Sequence, residues 1–158
     1  MKLTERIIDI TSLAISPEQE APRTEGCHVS SIINYLSTSL GRRENTFSRA
    51  DLDLFALLGR VFEVVLAKTI FPPPRYERLG ELECDGIIGS PDAFDTEEMA
   101  VVEMKATWKS SRRDIQEFHE YWWQLKSYCQ MTQTRRAVLV VFFVCGNYAP
   151  PVPQLRCW

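Results

Sequence analysis

The sequence predicts an α/β domain in which helices flank a mixed β-sheet. Two helical segments precede two strand-like segments, and a third helix and a continuous apolar strand follow them. The chain has 158 residues, 45% of them hydrophobic and 25% charged, which suits one ordinary hydrophobic core and excludes a disordered or fibrous protein. We expect residues 28–158 to form a single domain, preceded by an N-terminal extension over residues 1–27.

Two helices are predicted in the first half of the domain. Residues 30–40 carry apolar side chains at helical spacing and are followed by Gly41, a common helix stop. The second helix is expected over residues 50–70, because Ser48 can cap its first turn and the prolines at 72–74 cannot continue it. Each helix has an apolar stripe with which to cover the sheet.

The remaining elements are a hairpin, a helix and a buried strand. The hairpin is expected from strands over residues 79–88 and 99–107, with turn residues between them. A helix over residues 113–132 follows a polar stretch. Residues 137–145 form a continuous apolar run, typical of a strand buried on both faces. The prolines within residues 150–158 leave little room for another strand.

Composition limits the classes of function. The 18 basic and 21 acidic residues give a net charge of −3, which argues against a basic nucleic-acid-binding surface but still permits a local basic groove. The longest apolar run falls well short of the roughly 20 residues of a membrane helix. Five widely spaced cysteines without a C-x-x-C pair predict free thiols, and the first residues lack a signal peptide. We therefore expect a cytoplasmic protein with no membrane attachment.

Charged residues enter the predicted hairpin on both of its strands. Glu103 and Lys105 are two residues apart and therefore share one face of a strand. Asp85 lies in the preceding strand, and the hairpin can bring it close to Glu103, depending on the register. Two adjacent carboxylates repel each other unless a cation lies between them, and hard oxygen ligands favour Mg²⁺ or Mn²⁺. For Glu103 and Lys105 alone, a cross-strand salt bridge is the alternative.

These residues predict metal-assisted hydrolysis of a phosphodiester. Lys105 would orient or deprotonate the attacking water, or stabilise the transition state. Glu63 lies at the edge of the second helix's apolar stripe, where Gly59 would let a neighbouring element approach closely. Gln124 and Tyr128 share one face of the third helix and would hold a water, a phosphate oxygen or a base. An ordinary surface glutamate and a pair of boundary residues are the alternatives.

The motifs occur in the order found in a known family: Gly59-x-x-x-Glu63, Asp85, Glu103-x-Lys105 and Gln124-x-x-x-Tyr128. This order resembles the RecB-like exonuclease branch of the PD-(D/E)XK nuclease superfamily, which includes CRISPR-associated RecB-like and lambda-exonuclease-like phage nucleases. The similarity covers roughly residues 28–145, most of the chain. It implies a restriction-endonuclease-like core and a Mg²⁺- or Mn²⁺-dependent deoxyribonuclease, with an exonuclease favoured over a site-specific endonuclease.

The resemblance also implies a role for each residue. Asp85, Glu103 and the backbone carbonyl of Met104 would bind the metal, and Glu63 would contact it directly or through water. Lys105 would be the catalytic lysine, and the Gln124–Tyr128 motif would position the substrate or the water. Relatives with an iron–sulfur cluster use three cysteines near the C-terminus, whereas here one cysteine follows the last predicted strand, so no cluster is expected.

The expected partner is DNA, as linear ends or single strands. Candidate contacts form two basic sets: Arg42, Arg43 and Arg49 in the first loop, and Lys109, Arg112 and Arg113 after the strand of Lys105. Trp122 and Trp123 fall on different helix faces, so one of them should be exposed for base stacking or an oligomer contact, unless it packs on the core. We expect His28 to begin a helix and not to bind metal.

A homo-oligomer, or a helicase or recombination partner, would help so small a domain hold DNA.

Two other interpretations of the chain's function stay open beside the nuclease. A catalytically inactive nuclease-fold module that binds DNA or protein is the main alternative, and a structural α/β domain with surface salt bridges is the third.

Overall fold

The architecture comes from a computed structural model that describes residues 6–7, 23–41, 49–145 and 154–157, with side chains described within these ranges except at 6–7, 49–57 and 154–156. The helices are α1 (Val29–Ser39), α2 (Arg49–Thr69) and α3 (His119–Met131). The strands are β1 (Arg6–Ile7), β2 (Cys27–His28), β3 (Tyr76–Glu77), β4 (Leu82–Cys84), β5 (Ile87–Gly89), β6 (Ala93–Asp95), β7 (Ala100–Thr107), β8 (Arg136–Phe143) and β9 (Gln154–Cys157).

Two sheets organise the strands. The larger has six strands in the order β1-β9-β8-β7-β6-β3, and the smaller has the order β2-β5-β4. In the larger sheet β7 and β8 are parallel, whereas the other neighbours are antiparallel. The predicted fold class, a mixed sheet flanked by helices, is confirmed.

The central strands are covered on both faces. Val101 and Leu139 face a core that includes side chains of α1 and α3. Val102 and Val140 face a second core that includes Leu66 of α2. Because side chains alternate along a strand, residues 103 and 105 of β7 lie on the α3 face.

The third helix begins later than predicted. Residues 115–117 form a separate 3₁₀ turn, in which the Asp114 side chain accepts a hydrogen bond from the backbone N–H of Gln116. Phe118 then leaves the helical conformation, with φ −87° and ψ 63°, so α3 begins at His119. The first two helices lie within one residue of their predicted bounds, and the proposed cap Ser48 lies outside the described residues.

The predicted hairpin is wrong in its first strand. Asp85 and Gly86 have φ values of 52° and 75°, and two successive positive φ angles are what a type I′ turn requires. This turn divides residues 79–88 into β4 and β5, which pair with each other in the small sheet. The strand beside β7 is instead β6, within the segment predicted to be a turn.

The two ends of the chain also differ from expectation. Residues 150–158 contain β9, which pairs with β8 and places Cys157 opposite Val140. Strand β1, from the predicted extension over residues 1–27, pairs with β9, so this extension adds an edge strand to the main sheet. The five cysteines are free thiols. Within the described ranges, no helix is long and apolar enough to cross a membrane.

Two packing expectations have different outcomes. A Cβ atom at Gly59 would meet nothing within 4 Å in the described part of the chain, so this glycine is not needed for a close approach. Trp122 and Trp123 are both partly buried against the α1–α3 core, so the core contact, one of the alternatives for these side chains, is the one observed. The indole nitrogen of Trp122 donates to the carbonyl of Ile115 at 2.9 Å, which fixes this ring within the fold.

Candidate active site

The candidate site lies where β6 begins beside β7. Ala93 pairs with Val102, and one residue further along this antiparallel register Asp92 stands beside Glu103. The Asp92 carboxylate oxygen Oδ2 accepts a hydrogen bond from the backbone N–H of Met104 at 2.6 Å. A side-chain oxygen thus takes the place that a backbone carbonyl would hold in a longer β6. This bond fixes the Asp92 carboxylate at the edge of β7.

Glu103 is a fully buried carboxylate on the α3 face of the sheet. Its Oε1 atom pairs with the Nζ atom of Lys105, whose side chain is 23% exposed. Its Oε2 atom is buried and has no hydrogen-bond partner among the described residues. An unsatisfied buried oxygen costs roughly 1–3 kcal/mol, so its retention calls for a functional reason.

The site is electrostatically coupled. Burial, helped by the negative charges of Asp92 and Glu63 and opposed by Lys105, raises the pKa of Glu103 to about 8. Burial alone would lower the pKa of Lys105, but Glu103 and Asp92 outweigh it and hold that pKa above its ordinary value. The lysine is therefore an ammonium at neutral pH.

Helix α3 brings the predicted Gln124–Tyr128 motif to this cluster. Tyr128 is 3% exposed, and the Gln124 Nε2 atom donates to its hydroxyl oxygen at 2.9 Å. Burial, and then the negative charge of Glu103, raise the pKa of Tyr128 to about 12. The hydroxyl therefore keeps its proton, and because its oxygen already accepts from Gln124, that proton is available to donate.

Gly89 lets β5 approach α3 beneath this tyrosine. A Cβ atom at Gly89 would lie 2.7 Å from Cε1 of Tyr128 and 2.6 Å from Sδ of Met131. Both distances are shorter than a van der Waals contact. The glycine therefore sets the spacing between Tyr128 and the segment that leads into Asp92.

Gly89→Ala is expected to lower the free energy of unfolding by roughly 1–3 kcal/mol, because overpacking forces Tyr128 or Met131 to move. Urea unfolding followed by circular dichroism measures the change. The matched control is Gly59→Ala, whose added methyl group in α2 meets nothing within 4 Å among the described residues and should raise stability by up to about 1 kcal/mol. Equal effects of the two substitutions would contradict the packing argument.

Glu63 approaches the cluster from α2. Its Oε1 atom pairs with Nη2 of Arg78 at 3.0 Å, and its side chain is 24% exposed. It is close enough to the buried carboxylate to raise the pKa of Glu103. The predicted contact between Glu63 and the site is therefore electrostatic in this structure.

Asp85 does not stand beside Glu103, and the predicted pairing of these carboxylates is wrong. It is exposed in the turn between β4 and β5, beside a groove lined by α1 and α3 residues that include Ile33 and Trp123. The reason is the Asp-Gly turn, which ends β4 before the sequence can reach the main sheet. His28 immediately precedes α1, as expected, and its ring is hydrogen-bonded to the Thr24 carbonyl at 2.8 Å.

The basic residues after β7 lie in an exposed turn. The Nζ atom of Lys109 lies 4.8 Å from the centroid of the Phe118 ring. Arg113 pairs with Glu117 at 2.7 Å, and Arg112 is exposed. No contact joins these cations to Glu103 in the described structure, so their role in binding DNA stays a prediction. In the other basic set, Arg42 and Arg43 lie outside the described residues, and so does the side chain of Arg49.

The oxygen atoms at the site fit a hard divalent cation. In a β-strand the N–H and C=O of one residue point to the same side, so the Met104 carbonyl faces the edge that its N–H offers to Asp92. Together with Glu103 Oε2, these atoms make two carboxylates and one carbonyl. Mg²⁺ commonly uses one or two carboxylates and completes its shell with water and phosphate. Across the described ranges, no three His, Cys, Asp or Glu side chains converge to hold a metal by themselves.

Asp92 is the site residue that the sequence interpretation missed. Its signal was the Pro91-Asp92 pair ahead of the strand that carries Glu103 and Lys105. The segment from Gly89 to Glu98 is rich in acidic and turn residues, a pattern that predicts a loop and hides Asp92 among other carboxylates. Its short strand, β6, has three residues and gives little periodic signal.

Fold and site together define an α/β protein with a buried carboxylate–lysine pair at the edge of a mixed sheet. No protein-family model and no curated protein sequence matches the chain. Among solved structures, the crystal structure of SSO0001 is similar at 18% sequence identity and a TM-score of 0.49, over 77% of this chain and 64% of that chain. The chain thus spans about two thirds of that protein's length, and so distant a similarity carries no argument about function.

Proposed function

We propose that this protein is a Mg²⁺- or Mn²⁺-dependent deoxyribonuclease that hydrolyses phosphodiester bonds with a metal-activated water. The observation that carries the proposal is the convergence of Asp92, Glu103 and Lys105 on two neighbouring strands. The resemblance of the motif order to RecB-like nucleases supports it, with Asp92 in the role first expected of Asp85.

A purely structural salt bridge explains this cluster less well. Burying two charges costs several kcal/mol per ion unless hydrogen bonds satisfy them fully, and Glu103 keeps one oxygen without a partner in the described structure. The carboxylates of Asp92 and Glu63 add repulsion that a structural core has no reason to keep. A cation-binding role accounts for both features.

Each residue has a defined task in the proposed reaction. Asp92, Glu103 and the Met104 carbonyl would hold the metal, which when bound polarises the phosphate and lowers the pKa of a coordinated water. Lys105, protonated at neutral pH, would stabilise the negative charge that develops on the phosphate and would not act as a base. Tyr128 would donate its proton to a phosphate oxygen or to the attacking water while Gln124 holds its hydroxyl oxygen.

The wider setting follows from the same proposal. We favour an exonuclease acting on linear ends or single strands, because Gln124 and Tyr128 match the motif of the RecB-like exonucleases. The basic turn with Lys109, Arg112 and Arg113 would contact the DNA backbone. The five free thiols favour the cytoplasm. A second copy of the chain, or a helicase or recombination protein, would help to hold the DNA.

End-labelled linear DNA and closed circular DNA, each incubated with Mg²⁺, Mn²⁺ or EDTA, test the function. We expect metal-dependent cleavage that EDTA abolishes and that is faster on linear DNA. An absence of cleavage with either metal would refute the enzyme. Circular DNA cut as fast as linear DNA would refute the exonuclease preference, and a parallel RNA substrate tests the choice of nucleic acid.

A catalytically inactive nuclease-fold module is the second candidate. One observation favours it: Glu103 and Glu63 are each paired with a cationic side chain, Lys105 and Arg78, instead of facing a common centre. Such a module would bind DNA or a protein partner equally well in EDTA and Mg²⁺, and would cleave neither form of DNA.

Stability should fall between about pH 5 and pH 8 because of Glu103. Its pKa is about 8 in the folded protein and 4.5 in its ordinary state, so the folded protein binds more protons in this window and loses stability as they leave. Relative to wild type, Glu103→Gln should therefore gain ~3 kcal/mol over this pH range in metal-free buffer. Urea unfolding at both pH values measures the gain, with the exposed Glu117→Gln as the control. A pH-independent difference would contradict the raised pKa of Glu103.

A further inference from the structure

Arg78 is a second cation near the site, and it lies on the face of the sheet opposite to that of Lys105. In the pairing of β3 with β6, Glu77 lies opposite Phe94. One residue further along this register, Arg78 stands beside Ala93, the residue that follows Asp92. The next residue, Leu79, packs against the α1–α3 core and anchors the segment. The backbone of Arg78 is thus fixed one strand away from that of Asp92.

The Arg78 side chain reaches the α2 face of the sheet. Cross-strand neighbours share a face, and Ala93 lies in the core beneath α2, so Arg78 projects to the side on which Glu63 lies. Its Nη2 atom meets Glu63 Oε1 at 3.0 Å, and its side chain is 52% exposed. A half-exposed pair of this kind contributes only about 0–1 kcal/mol to stability, so structural need does not explain its place beside the buried carboxylates.

The guanidinium group suits an anion that the site must bind. Among the described residues, the ion pair with Glu63 uses one terminal nitrogen of the guanidinium. The planar group carries five N–H donors, and their forked arrangement matches two oxygens of a phosphate. Glu63, its present partner, is a carboxylate that also acts electrostatically on Glu103. Arg78 is thus paired with one carboxylate of the acidic cluster while half of its side chain is open to solvent, from which a phosphodiester would enter.

We propose that Arg78 is a phosphate-binding residue of this site and that Glu63 holds it in place until a phosphodiester binds. The inference rests on the proposed nuclease function. On binding, the guanidinium exchanges the Glu63 carboxylate for the phosphate oxygens. No covalent bond changes in this exchange.

The exchange predicts effects of opposite sign on two ligands. Removing Arg78 takes a positive charge away from the acidic cluster, so Mn²⁺ should bind more tightly in the absence of DNA. The same change removes a charge-assisted phosphate contact, so DNA should bind more weakly. A residue with only a structural role would weaken both, because a disordered site binds neither ligand well.

The test compares Arg78→Ala and Arg78→Lys with wild type. Arg136→Ala is the matched control, because Arg136 forms a similar surface pair with Glu98 at 2.7 Å, near the opposite end of β7. Calorimetry with Mn²⁺ alone measures metal affinity, and fluorescence anisotropy with a labelled oligonucleotide in EDTA measures DNA affinity. Thermal unfolding confirms that each variant is folded.

For Arg78→Ala we expect roughly threefold tighter Mn²⁺ binding, about tenfold weaker DNA binding, and a salt dependence of DNA binding reduced by about one unit of slope. Arg78→Lys should keep part of the DNA affinity, and the control should match wild type. Unchanged DNA affinity, or weaker Mn²⁺ binding, in a folded Arg78→Ala protein would overturn the inference. If wild type cleaves DNA and Arg78→Ala has the same affinity for Mn²⁺ and for DNA, this inference alone is overturned. If wild type neither binds Mn²⁺ nor cleaves DNA, the proposed nuclease function is overturned as well.

Discussion

Lys105→Ala should lower the rate of DNA cleavage by about 10²–10³-fold, the usual cost of losing one group that stabilises transition-state charge. The ammonium pairs with Glu103 on the face of β7 that α3 covers, and its charge acts on Tyr128. Because Glu103 can take up a proton when its partner is removed, the variant should still fold. Single-turnover cleavage of end-labelled DNA in Mn²⁺ measures the loss.

Lys126→Ala is the matched control, because Lys126 is exposed on α3. Its cleavage rate should equal that of wild type. If Lys105→Ala cleaves at the wild-type rate while remaining folded, the reaction takes place elsewhere or belongs to a contaminant. Lys105→Met, which keeps an unbranched side chain of nearly the same length without the charge, separates the loss of charge from the loss of packing.

Asp92→Asn should reduce cleavage by about 10²–10³-fold and weaken Mn²⁺ binding by at least tenfold. The amide oxygen of asparagine can still accept the hydrogen bond from Met104, so the strand edge should persist. The loss would then come from the missing negative charge and not from a changed backbone. Calorimetry with Mn²⁺ and the cleavage assay measure the two effects separately.

Asp85→Asn is the discriminating comparison for that variant. Asp85 lies in the exposed turn between β4 and β5, so its substitution should change cleavage by less than about threefold. If Asp85→Asn abolishes metal binding while Asp92→Asn leaves it intact, the assignment drawn from the structure is reversed. A similar large loss in both variants would place the two carboxylates in one site.

The sequence predicted the parts of the fold that carry long periodic signals. Helices α1 and α2 and strand β8 have enough residues for their apolar spacing to define them. Short strands lack this signal, and the three-residue β6 was interpreted as a turn for that reason. The Asp85-Gly86 pair was the local signal that would have divided the predicted strand correctly.

The site shows the same division between local and long-range information. Glu103 and Lys105 could be placed together because alternation within one strand fixes their relation. Gln124 and Tyr128 could be paired because a helical turn separates them. The partner carboxylate depends on which strand lies beside β7, a long-range pairing that a single sequence does not encode locally. The prediction of Asp85 as that partner was therefore wrong in its strand pairing and not in its chemistry.

The hydrogen bond from Met104 to Asp92 makes the length of one connection critical. Loops between secondary-structure elements usually tolerate insertions, but residues 90–92 join β5 to β6 and also bring a carboxylate to a backbone N–H. Because side chains along a strand alternate with a period of two, one residue inserted between Asp92 and Ala93 would turn the carboxylate away or move β6 out of register. Homologues of this protein should therefore vary in the length of the β4–β5 turn and keep the connection between β5 and β6 at constant length.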